Sequence, residues 1–214
     1  MTGIKEIYNL CSPAKIALSI AHSKQRQGAS VEALNEYTWS SEVSLSLEKK
    51  LKENLFDVKI FDKSLYELSS NDYSKAYNKN IKDINQWNPD LTLEIHLNAA
   101  DFLKVKLENK TLSDNFANYG EYLYFGKSKL FAQFLADQFK IYFPITPAKQ
   151  KIRVLKKGDN GYHFVKDIKG CCVLAEPFFI NKSSHFNDIL MQGNFLIVDC
   201  FYKAIEKYTY NHLK

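Results

Sequence analysis

Residues 15–37 read KIALSIAHSKQRQGASVEALNEY, and the order of their textures decides the fold. Lys15 to Ile20 form a short, mostly apolar run that stops at a polar loop, the mark of a buried strand. Past the loop, Glu36 opens a stretch in which Trp39, Val43, Leu47, Leu51 and Leu55 recur every four residues, with Glu and Lys on other positions. That spacing places the apolar side chains on one stripe of a helix. A buried strand, a polar loop and an amphipathic helix make the opening unit of a parallel sheet, because parallel neighbours need a crossover of about this length.

The alternation continues. Residues 57–61 (DVKIF), 91–96 (LTLEIH), 121–125 (EYLYF) and 171–176 (CCVLAE) are predicted strands, each bounded by polar, Gly, Pro or Asn residues. Residues 73–86 and 127–142 are predicted helices, the second with Phe131, Phe134, Leu135, Phe139 and Tyr142 on one face. A last helix over 191–209 aligns Phe195, Val198, Tyr202 and Ile205. The pattern predicts one α/β domain over residues 1–214, with a mainly parallel twisted sheet of about six strands and helices on both faces. Residues 101–118 read as an insertion or long loop, and 143–150, with two prolines, as a connection; neither is long enough to divide the chain.

Composition narrows the class without naming a task. Hydrophobic residues make up 45% of the 214 and charged residues 25%, enough apolar material for a sizeable core. No run approaches the roughly 20 apolar residues of a membrane span, and MTGIKEIYNLCSP at the N-terminus has no signal-peptide layout. The net charge of +5 is spread, with short clusters at 49–52 (KKLK) and 149–157 (KQKIRVLKK). A mildly basic surface can favour anionic partners such as nucleic acid, anionic lipid or a wall polymer, but lysines on solvated helix faces are the commoner reading. Cys11, Cys171, Cys172 and Cys200 fit neither a zinc ribbon nor a disulfide framework and read as reduced, mostly buried thiols.

Open α/β sheets gather functional groups at the carboxyl ends of their strands, where the loops converge on one rim. His22 follows the first strand, His96 closes the strand in LEIHLNAA, and Glu176 closes the strand in VLAEPFF. Glu36 joins them if the helix it opens has its N-terminus on the same rim. Catalytic zinc commonly takes three ligands from His and carboxylates and leaves a fourth position for water, while a neighbouring carboxylate serves as general base. The set suits metal-assisted hydrolysis, with His22, Glu36 and His96 as ligands and Glu176 as base. Each residue also has an ordinary reading: a strand-end histidine is commonly a structural hydrogen-bonding group, and a glutamate in a first helical turn serves the helix dipole. Glu176 is harder to set aside, because a carboxylate between an apolar strand and Pro177 needs a charged partner or a task.

Taken in order, the first strand, His22, Gly28-Ala29, Glu36, EIHLNA (94–99), YGEYLYF (119–125) and CVLAEPFFI (172–180) resemble the zinc-dependent N-acetylmuramoyl-L-alanine amidases of the Amidase_3 family, over about residues 15–208. The resemblance implies a single-domain fold of the phosphorylase/hydrolase-like kind, Zn2+ held by His22, Glu36 and His96, and Glu176 as the catalytic carboxylate. It implies hydrolysis of the amide between N-acetylmuramic acid and L-alanine, with peptidoglycan and its muramyl stem peptide as partner; a nucleic-acid partner would rest on net charge alone and is not expected, no membrane span is expected, and a monomer is presumed. EPFFINK at 176–182 is similar to phage and firmicute members. With no signal peptide, such an enzyme is expected to stay in the cytoplasm until a holin or lysis releases it, or to leave by another export route.

The chain departs from the family pattern in three places. Ala21 stands where the family usually has Gly, SKQ follows His22 where glycines are usual, and Lys75 and Lys79 occupy the region of a common arginine. The insertion at 101–118 follows the second histidine motif and is expected to border the substrate groove. Two rival functions share these residues: a non-catalytic wall-binding module, from which some site residues are usually lost, and a zinc carboxypeptidase-like hydrolase, which would need arginines for a terminal carboxylate. Among the remaining candidates, Asn98 is expected to orient a ligand or touch substrate, or to serve only a turn. His163 could reach the rim or lie in a surface loop. His185 reads as a helix start capped by Asn181, Ser183 or Ser184, His212 as tail, and Gly120 and Glu121 as structural. Tyr119, Tyr122 and Tyr124 put at least one face of their strand in the core.

Overall fold

Ile16, Ala17 and Leu18 have no exposed surface, as the apolar run at residues 15–20 predicts. They belong to β1 (Lys15–Ile20), which pairs in parallel with β4 (Asp57–Phe61) on one side and β5 (Leu91–Ile95) on the other. The computed structural model describes residues 12–31, 33–70, 72–99, 119–144, 149–180, 185 and 193–213. The remaining elements are β2 (Ser30–Val31), β3 (Leu34–Asn35), α1 (Glu36–Glu53), α2 (Ser64–Ser70), α3 (Tyr73–Trp87), β6 (Tyr119–Tyr124), α4 (Lys129–Tyr142), β7 (Lys149–Val154), α5 (Tyr162–Asp167), β8 (Cys171–Glu176) and α6 (Gly193–His212).

The main sheet has six strands in the order β4-β1-β5-β8-β6-β7. Strands β4, β1, β5 and β8 run parallel, β6 pairs antiparallel with β8, and β6 and β7 are parallel to each other. Helices cover both faces. Trp39, Val43, Leu47 and Leu51 of α1 share one core with Phe131, Leu135 and Phe139 of α4 and Ile197, Phe201 and Ile205 of α6. Ile81 and Ile84 of α3 and Phe164 and Val165 of α5 build the smaller core on the other face. Chain order leaves β1 toward β4 and then crosses back to β5, so the direction of winding reverses between β1 and β5. In an open α/β sheet that reversal opens a crevice at the strands' carboxyl ends.

Several expectations need amendment. Strand β7 lies within the basic cluster KQKIRVLKK, and its first two residues overlap the predicted connection 143–150. It is an edge strand, half solvated, and lysines there deter edge-to-edge pairing, so it carries no apolar signature. Strand β6 begins at Tyr119 rather than at residue 121, with Tyr122 fully buried. Leu55 lies beyond the end of α1 with φ +66° and is 71% exposed, outside the predicted stripe. Phe195 is 70% exposed because Ile197, Phe201, Ala204 and Ile205 face the core and Phe195 stands nearly opposite Ile197 around the helix. His212 is the last residue of α6, stacked on Phe134, rather than part of a free tail. Cys171, Cys172 and Cys200 are free and buried, as expected. Cys11, the N-terminal reading, the insertion at 101–118 and the caps Asn181, Ser183 and Ser184 lie outside the described residues.

Candidate active site

The parallel strands β1, β4, β5 and β8 end on one rim, and a single hydroxyl ties two of those ends together. Ser40, buried in α1, accepts a hydrogen bond from the Ala21 N–H (3.0 Å) and donates to the Ile95 carbonyl (2.7 Å). This holds His22 and His96 at a fixed spacing. Next to the tethered Ala21, His22 sits at φ +59°, a left-handed conformation that costs a non-glycine residue of order 1 kcal/mol and concentrates at functional sites.

Glu36 opens α1, with Asn35 capping the helix by accepting from the Thr38 N–H at 2.8 Å. Its buried carboxylate is held at both oxygens. Oε2 lies 2.8 Å from His22 Nε2 and accepts from the Ala29 N–H at 3.2 Å. Oε1 lies 2.8 Å from His96 Nδ1 and accepts from the Leu97 N–H at 3.0 Å. Burial alone would raise the Glu36 pKa; the hydrogen bonds to His22 and His96 outweigh it and hold the carboxyl well below its usual range. Burial likewise opposes the charged form of His96, yet the carboxylates of Glu94 and Glu36 push it up to about 10. Two buried carboxylates thus surround the histidines and call for positive charge.

One donor atom from each of His22, Glu36 and His96 lies within 4.8 Å of the other two. A Cβ on Gly28 would stand 2.5 Å from Glu36 Oε2 and 2.6 Å from His22 Nε2, so the residue flanking these donors is one without a side chain. Two imidazoles and a carboxylate are a donor set that suits a borderline-soft divalent ion, and the three residues fit one as a possible metal site. The structure therefore brings together the three residues predicted as ligands.

Glu176 ends β8 on the same cleft. Asn98 donates from Nδ2 to Glu176 Oε2 at 3.0 Å. Asn98 is placed there because the chain after β5 zips against the chain after β8: the His96 N–H donates to Ala175 O, Asn98 N–H to Phe178 O, and Ile180 N–H to Asn98 O. His185, buried, accepts from the Phe179 N–H and props the same segment. Burial pushes the Glu176 carboxyl up to about 7, with His96 pulling it down and Glu121 and Glu36 adding to the rise. Glu121 faces Glu176 across the β6–β8 ladder and is engaged by Arg153, which also binds Asp159.

The cleft measures about 820 Å³ and is lined by His22, Glu36, His96 and Glu176, with Tyr73 and Tyr77 from α3 and residues 159–163, the loop into α5 and its first turn, as further walls. His163 lines it but is exposed and lies 3.6 Å from Asp167, apart from the three donors. Two residues escaped the sequence reading. Glu94, inside β5, and Lys63, just past β4, form a fully buried ion pair of 2.5 Å directly beneath His96. The available signal was a charge in the middle of an otherwise apolar strand.

The family model for N-acetylmuramoyl-L-alanine amidase, Amidase_3, matches residues 16–207. The chain belongs to this amidase family. The amidase is accordingly a peptidoglycan hydrolase, and solved structures share its fold at low identity. The catalytic domain of the CD27L endolysin targeting Clostridia difficile superposes with a TM-score of 0.67 at 18% identity, covering 91% of this chain and 97% of that one. The CwlD amidase of Clostridioides difficile, solved with the GerS lipoprotein, gives 0.70 at 20% identity over 92% and 98%. The catalytic domain of CwlV from Bacillus (Paenibacillus) polymyxa var. colistinus gives 0.64 at 15% identity over 91% and 97%. No curated protein sequence matches the amidase. Among its described residues no helix is long and apolar enough to cross a membrane.

Proposed function

We propose that the amidase is zinc-dependent, that His22, Glu36 and His96 hold the ion, and that Glu176 is the catalytic carboxylate acting on the amide between N-acetylmuramic acid and the L-alanine of the stem peptide. The observation that carries the reading is the convergence of those three donors in one cleft with a carboxyl whose pKa is pushed up to about 7. When bound, zinc supplies Lewis-acid polarisation of the scissile carbonyl and acidification of the attacking water. Glu176 is poised for proton transfer in both directions: near neutral pH it takes the proton of the attacking water and returns it to the departing alanine nitrogen. Asn98, through its bond to Oε2, fixes which carboxylate oxygen is free to face the water. Ala29 and Leu97 hold the Glu36 carboxylate by backbone N–H groups, so it cannot swing toward substrate and compete for that role.

The cleft is open to the surface, as access to a polymer requires. The chain would act at the wall, remaining cytoplasmic until lysis or another route delivers it, and it would work as a monomer. Digestion of purified peptidoglycan, followed by mass spectrometry, tests the chemistry. New free N-terminal L-alanine on stem peptides that disappears with chelator and returns with zinc is the expected result; cleavage at another bond, or chelator-resistant release, overturns it.

A further inference from the structure

Lys63 and Glu94 are 1% and 2% exposed. Lys63 and Ser19 meet the Glu94 carboxylate on one oxygen: Lys63 Nζ lies 2.5 Å from Oε1, and Ser19 Oγ donates to Oε1 at 3.1 Å. Lys63 is held by a second bond, to the Ile20 carbonyl at 2.6 Å, at the end of β1. The other oxygen, Oε2, faces the His96 ring, 3.2 Å from Nε2. Nε2 is buried, and no acceptor, Oε2 included, meets it with hydrogen-bond alignment. On the far side of the same ring Nδ1 faces Glu36. A neutral imidazole that offers Nδ1 to a cation carries its proton on Nε2, and a buried N–H without an acceptor is costly.

We propose that Glu94 is a positioning residue for the metal site: Oε2, 3.2 Å from Nε2, is placed to accept the Nε2 proton of His96 after a small turn of the ring, which sets the tautomer and ring plane that present Nδ1 beside His22 and Glu36, while Lys63 balances the charge on Oε1. This rests on the reading of His22, Glu36 and His96 as ligands. Partners of this kind, one shell out from the ion, orient ligating histidines and raise their basicity. The competing account is that the pair merely fastens β1, β4 and β5 together, as buried ion pairs can without gain in stability over an apolar pair.

Metal affinity and stability separate the two accounts. Glu94→Gln leaves Lys63 buried and unpaired, and the melting temperature is expected to fall by about 10 °C. The double variant Lys63→Met/Glu94→Leu removes both charges and the acceptor; it should melt near the parent, yet bind zinc about 10–100-fold more weakly in a chelator competition. Lys63→Met/Glu94→Gln, which keeps an amide oxygen as acceptor, should recover part of that affinity. If Lys63→Met/Glu94→Leu binds zinc as tightly as the parent, Glu94 is only a fastener. Should the doubles fail to fold, long-range 1H–15N spectra of the zinc-loaded parent decide. A His96 ring protonated at Nε2 is expected, and an unprotonated Nε2 sinks the proposal. If the parent chain takes up no zinc at all, the ligand assignment itself fails, a result distinct from either outcome for Glu94.

Discussion

Asn98 donates its side-chain amide to Glu176 across 3.0 Å, although 78 positions separate them in the chain. The bond joins the loop after the second histidine to the end of β8, and so couples the candidate ligand site to the candidate base. Asn98→Ala removes it without touching a ligand. The expected result is a fall of about 10-fold in kcat/KM, the worth of one hydrogen bond to a charged group, with zinc content unchanged. Turbidity assays on cell walls and metal analysis of the same preparation check both halves.

Glu176 carries the pH dependence. As base it works ionised, so activity should rise with pH through a midpoint near 7, drawn lower by a bound cation. Glu176→Gln should lose about 10²–10⁴-fold in kcat and keep its zinc. Its stability should move the other way. The folded pKa lies above the ordinary 4.5, so the folded chain binds more proton than the unfolded one between about 4.5 and 7, and stability declines as pH climbs through that window. Glu176→Gln should therefore be more stable than the parent at pH 8, by on the order of 1–3 kcal/mol, and no more stable below about pH 4.5. Denaturant unfolding at the two pH values reads this out.

Gly28 adopts φ +73° and leaves no room for a Cβ beside Glu36 and His22. Gly28→Ala should cost about 1 kcal/mol from its backbone alone, and the side-chain collision should displace a donor and weaken zinc binding by about 10-fold or more. A zinc competition titration measures the second effect separately from melting.

Ser40→Ala takes the acceptor from the Ala21 N–H and the donor from the Ile95 carbonyl, both in the interior. A loss of about 2 kcal/mol, or roughly 4–8 °C in Tm, is expected. Because the tether spaces His22 from His96, zinc affinity should fall with it; an unchanged affinity would show that the spacing is held elsewhere.

Zinc that binds only the folded chain should stabilise it by mass action. At a thousand-fold excess over Kd the gain is about 4 kcal/mol, so chelation should lower Tm by roughly 8–16 °C. A triple variant lacking His22, Glu36 and His96 should melt at the same temperature with and without chelator.

Much of this was legible in the chain. The apolar run at 15–20, the stripe from Trp39 to Leu51 and the strand ends at His96 and Glu176 are local features, set by periodicity and burial, and they placed the α/β layout and the four candidate site residues on one rim. Edge strand β7 was illegible because half of it is solvated and takes lysine freely. The left-handed backbone of His22, the Ser40 tether, the Asn98–Glu176 bond and the Lys63–Glu94 pair beneath His96 were decided only by the tertiary structure. Each joins residues between 19 and 78 positions apart, or answers to such a join, and pairing at that range follows from strand order and register, which no local pattern of residues encodes.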